Sequence, residues 1–135
     1  MGIAVKAKEW TVKNMSYDIR IGVKVEGADC FAVVAEPEFA SPTYNLRDMF
    51  VACMDWDYEQ GEWYRCTDAL PKLERGLREL TLNREKYTQF NPPNGWGSID
   101  SAKKAIASVI ECIKNETGSA WSWNEIPLEC LYMRW

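Results

Sequence analysis

Asn91-Pro92-Pro93-Asn94-Gly95-Trp96-Gly97-Ser98 is the stretch that divides this chain. Each proline removes a backbone donor and fixes φ, and a proline disfavours helical geometry in the residue before it. A helical pattern running up to Phe90 therefore has to stop at Asn91. Asn94-Gly95 tolerates positive φ and is a strong turn signal, and Gly97 adds a second pivot. Ser98 is a good N-cap for the next run, where Ile99, Ala102, Ile106, Val109, Ile110 and Ile113 recur at helical spacing over about four turns. Trp96, between the glycines, is expected to plug the turn into the core, because so large a side chain normally buries most of its surface. In the competing reading, Asn94, Trp96 and the turn amides present a recognition surface.

Upstream of this turn, residues 83–90 read as a short helical turn. Before it, Thr67 caps a pattern of Leu70, Leu73, Leu77 and Leu80, with Pro71 in the tolerated first turn. Its wet face carries the i,i+4 pairs Glu74/Arg78 and Arg75/Glu79. Asn45 reads as the N-cap of another helix, with Asp48 three residues on and Leu46, Met49, Phe50 and Cys53 at helical spacing. Residues 17–25 alternate cleanly, with Tyr17, Ile19, Ile21, Val23 and Val25 on one face. A turn at 26–29 leads to a second strand at 30–35, whose continuous apolar run places it inside the sheet.

Residues 3–13 are weakly strand-like, 115–124 form a polar loop with Trp121 and Trp123, and 128–135 is a β-prone strand that rejoins the N-terminal pair. The pattern predicts one α+β domain over 1–135. A small antiparallel sheet, the N-terminal hairpin plus the C-terminal strand, is covered by about three helices.

The chain has 135 residues, 47% hydrophobic and 27% charged, ordinary values for a globular domain with a real core. No apolar run approaches 18 residues and the N-terminus lacks a leader's hydrophobic stretch, so no membrane contact is expected. The five cysteines are odd in number, widely spaced and never paired as CxxC, which suits reduced thiols in a cytosol. Histidine is absent, which removes His-based triads, general bases and metal ligands. The net charge of −4 is unevenly spread: residues 26–62 hold nine acids against one base, Arg47. That field argues against direct nucleic-acid binding and favours a protein partner with a basic surface.

No motif selects a reaction, a metal site or a cofactor, so no catalytic residue is assigned. Asp55-x-Asp57-x-Glu59-x-Gly61 fails as a calcium loop, because its glycine is one position late and the twelfth position is Cys66. The most distinctive composition is 55–64, where Asp55, Asp57, Glu59 and Glu62 interleave with Trp56, Tyr58, Trp63 and Tyr64. One reading turns the aromatics into the core beneath a solvated rim. The other makes an interface in which Trp56, Tyr58 and Trp63 anchor a partner steered by the carboxylates. A separate candidate is a pocket for a nucleotide-like ligand, with stacking and amide hydrogen bonds from Tyr44, Asn45, Asn94 and Trp96.

Thr43-Tyr44-Asn45-Leu46 opening one helix, Asn94-Gly95-Trp96-Gly97-Ser98 opening another, the late Cys112 and a short final strand together resemble a group of small proteins of bacteriophages and mobile elements. The resemblance covers residues 41–135. It implies a setting, a phage or mobile element in a bacterial host's cytosol, and no mechanism. By analogy with small phage accessory proteins in general, the expected role is non-enzymatic binding and inhibition of a host defence protein, as by an anti-CRISPR.

Overall fold

The computed structural model describes residues 16–117 and 126–135. The expectations for 3–13 and for Trp121 and Trp123 lie outside the described residues. The fold is α+β, with four antiparallel strands and helices packed on one face. The strands are β1 (Arg20–Lys24), β2 (Phe31–Ala35), β3 (Trp63–Arg65) and β4 (Leu131–Arg134), in the order β2-β1-β4-β3. The helices are α1 (Arg47–Met54), α2 (Cys66–Leu82), the single turn α3 (Arg84–Tyr87) and α4 (Ile99–Glu116).

The alternation at 17–25 does what its period requires. Tyr17, Ile19 and Ile21 are fully buried, but only Arg20–Lys24 joins the sheet. Tyr17 and Ile19 instead donate their amides to Pro42 O and Ala40 O, both at 2.8 Å. The hairpin closes through Val25 N to Cys30 O at 2.9 Å, and Gly27 supplies φ +76 in its turn. β2 is an edge strand rather than an interior one, and its Val33 is exposed. The interior neighbour of β1 is β4, which pairs Ile21 with Met133, and β4 in turn pairs with β3 on its other side. β3 is absent from the sequence reading, because three residues are too few to show a period of two. Leu131 and Met133, with Ile21, face the helices and are fully buried.

All six apolar positions of the α4 stripe are buried. The helix runs through Asn115 and Glu116, two residues expected to belong to a polar loop. α2 packs against both α1 and α4, and Gly76 makes the approach close: a Cβ there would stand 2.6 Å from Met54 Cγ. α2 starts at Cys66, directly from β3, so Thr67 is not its cap and Pro71 falls in the second turn. Tyr87 Oη donates to Glu79 Oε1 at 2.8 Å and ties α3 back to α2. Among the described residues no helix is long and apolar enough to cross a membrane.

Candidate binding site

Thr43 opens the segment before α1. Its Oγ1 accepts the Asn45 amide at 3.3 Å, and Tyr44–Leu46 forms a 3-10 turn leading into the helix. Asn45 is therefore inside the turn and is not the cap. Ahead of it, the loop 36–43 is held from two sides. Tyr17 and Ile19 fix it to the sheet through Pro42 and Ala40, while Phe39 N donates to Ser108 Oγ of α4 at 3.2 Å.

The Asn91–Ser98 turn folds as its residues dictate. Asn91 is extended before the prolines, with ψ 125, and Gly95 N returns to Pro92 O at 3.1 Å. Asn94 Oδ1 accepts the Trp96 amide at 2.9 Å, an Asx turn. Ser98 and Ser101 form a reciprocal capping box at the start of α4: Ser101 N donates to Ser98 Oγ at 3.2 Å, and Ser98 N to Ser101 Oγ at 2.6 Å. Arg84 spans the turn from α3 with a forked pair to Asp100, at 2.9 and 3.3 Å. That guanidinium holds the Asp100 carboxyl below its usual range.

The two halves meet at Gly97. It has φ +104, and a Cβ there would stand 2.8 Å from Thr43 Cγ2 and 2.9 Å from Leu46 Cδ2. The missing side chain is what lets the two motifs pack, so glycine is required twice over, by conformation and by space. The plug expected of Trp96 is not made by Trp96: its side chain is 69% exposed.

Between loop 36–43 and the Gly95–Ala105 wall lies a cleft of about 670 Å³. Phe39, Pro42, Thr43 and Leu46 form one side, Gly95, Gly97, Ser98 and Ser101 the other, with Glu36, Glu38 and Lys104 at its margins. Of the four residues predicted for a ligand pocket, none lines this cleft, although neighbours of each do. Asn45 and Asn94 are exposed, and Asn94 uses its carbonyl on the turn. Tyr44 is half-buried, its ring 5.5 Å from that of Tyr17. Trp96 stands between two cleft-lining glycines. Loop 36–43 was missed as part of the site, since its prolines and acids read only as a connection.

The acidic-aromatic segment sorts its residues by chemistry. Tyr58 is fully buried, stacked on Trp135 at 4.4 Å and hydrogen-bonded to Tyr17 Oη at 2.6 Å. Burial pushes the Tyr58 hydroxyl well above its usual range, and Tyr17 is raised for the same reason. Trp56 is half-buried, edge-on to Tyr64 at 4.9 Å, and Trp63 lies half-buried on the far face of the sheet. Asp55, Asp57, Glu59 and Glu62 are exposed, and Asp57 pairs with Arg47 at 3.2 Å. The carboxylate rim is present, but the rings expected beside it as anchors face inward or away.

Burial pushes the thiols of Cys53 and Cys66 up to about 12 and that of Cys112 to about 11. They are protonated at neutral pH and are poor nucleophiles. Compared with protein-family models, with curated proteins and with solved structures, the chain matches none.

Proposed function

We propose that this chain is a non-enzymatic accessory protein of a bacteriophage or mobile element, which binds and inhibits a host defence protein in the bacterial cytosol. The observation that carries the binding reading is Trp96. It is a large indole left 69% exposed on a turn fixed by Asn94, Gly97 and a double-serine cap, beside a cleft. A rigid exposed aromatic next to a concavity is the usual form of an interface anchor. The carboxylates Asp55, Asp57, Glu59 and Glu62 then steer a basic partner and contribute to association rate more than to affinity.

The cleft itself supports a second reading. Its volume of about 670 Å³ falls within the size of small-ligand sites. Among the described residues, Phe39 and Trp96 are exposed aromatics available to stack on a base.

Pull-down from a host lysate and a nucleotide thermal-shift screen, each run with wild type, Trp96→Ala and the four carboxylates reversed to lysine, separate the readings. A protein partner lost with Trp96→Ala, and captured more slowly after charge reversal, supports inhibition by docking. A nucleotide shift lost with Trp96→Ala but indifferent to charge reversal supports the pocket. Retention of every interaction by Trp96→Ala removes this turn as the site.

A further inference from the structure

The helices cover one face of the sheet, and the register places a row of aromatics on the other. Phe31 lies flat on Trp63 with ring centres 4.7 Å apart, and Tyr132 meets Phe31 edge-on at 4.9 Å. Gly22 is the floor beneath them, since a Cβ there would stand 2.9 Å from the Trp63 ring. The rings are framed by cations. The Arg134 guanidinium is 5.3 Å from the Trp63 ring centre, and that of Arg65 is 5.7 Å from Tyr132's. Strand alternation puts Arg20 and Lys24 on the same face as Gly22.

None of the four strands contains an acid. Asp18 reaches in to pair with Arg20 at 2.6 Å and Arg134 at 3.3 Å, and Glu36 pairs with Arg20 at 3.3 Å. Lys24 and Arg65 make no ion pair among the described residues, and both are exposed. Glu26 and Asp29 sit in the hairpin turn beyond Lys24 and weaken the field at that end. A basic, ring-bearing face thus exists on a chain whose net charge is −4.

We propose that this face binds single-stranded nucleic acid, with bases against the Phe31, Trp63 and Tyr132 row and phosphates on Lys24 and Arg65. Aromatic rings on an open sheet take unpaired bases of any sequence, and flanking cations hold the backbone. An acidic peptide would use the cations but has no need of three adjacent rings, and a duplex keeps its bases out of their reach. The proposal departs from the expectation that the acidic segment excludes nucleic acid, because the cations come from strands outside that segment. It is also independent of the Trp96 site.

The test is fluorescence anisotropy of labelled single-stranded DNA and RNA about twelve nucleotides long, with a duplex and a polyglutamate peptide alongside. Two to four phosphate contacts give a log–log salt slope between about −1 and −3 for single strands. Lys24→Glu with Arg65→Glu should weaken binding at least about tenfold. Tyr132→Leu should weaken it about tenfold with the salt slope unchanged. Circular-dichroism melting checks the fold. Should Tyr132→Leu unfold, the exposed Lys24 and Arg65 still decide, and Trp96→Ala should leave oligonucleotide binding intact. No binding to single strands at low salt, binding that survives the charge reversal, or equal binding of duplex or polyglutamate would overturn the proposal.

Discussion

Gly97 and Trp96 are neighbours with opposite duties. The glycine packs and the tryptophan does not, so their substitutions should diverge. Trp96→Ala should shift stability by no more than about 0.5 kcal/mol, as for an ordinary surface position. Gly97→Ala should cost about 1–3 kcal/mol, because its methyl meets Thr43 and Leu46 and its φ is +104. Urea titration of both variants checks this, and equal effects would put the packing elsewhere. The Tyr17–Tyr58 pair is a second residue-scale case. Both hydroxyls are raised above the ordinary value of 10.0, chiefly by burial, so the neutral form is favoured in the folded state. Their contribution is complete below pH 10 and is lost as pH climbs beyond it. Melting temperature should therefore fall on the alkaline side, and the double change Tyr17→Phe, Tyr58→Phe should flatten that fall. At neutral pH either single change should cost about 1–2 kcal/mol and the double less than their sum, because neither hydroxyl is then left without its mate.

At the scale of elements, the start of α4 carries the most specific local chemistry. Ser98 and Ser101 satisfy each other's backbone amides, so Ser98→Ala should cost about 1 kcal/mol and fray the first turn. Ser98→Asp should restore most of it, and amide exchange at residues 99–102 is the measurement. The same paired serines show why α4 was legible in advance: cap, stripe and proline stop all lie within one short window. β3 was not legible, since Trp63-Tyr64-Arg65 acquires its strand identity only by pairing with β4. β2 misled for a related reason. Its apolar run suits an interior strand, whereas Phe31 is covered on the sheet's helix-free face by Trp63 of β3 and Tyr132 of β4.

Across the whole molecule, the sorting of cysteines gives a simple check on the fold. All five are free thiols; Cys30 and Cys130 are exposed, Cys53 and Cys66 buried, and Cys112 half-buried. In the native protein at neutral pH, Cys30 and Cys130 should react promptly with an aromatic disulfide reagent. Cys53, Cys66 and Cys112 should lag by orders of magnitude, and urea should release all five; prompt labelling of Cys53 would contradict the packing of α1 on α2. The fold class, the hairpin and the helical stripes could be read from local periodicity. The cleft could not, because its walls exist only through ties such as Phe39 to Ser108 and the contact of Gly97 with Thr43. The placement of Trp96 was misread because average burial by size says nothing about the neighbouring Gly97, against which Thr43 and Leu46 already fill the space.

The position of β4 between β1 and β3 has a kinetic side. The β1–β2 hairpin and the β3–α2 unit are each built from residues close in sequence, and β4 is the strand whose backbone pairs with both. Ile21 has to find Met133 across almost the entire described chain before the sheet is continuous. Closure over so long a loop is slow relative to hairpin or helix formation. The hairpin and the helical part should gain their first protection separately, and refolding should end in one late step that both share.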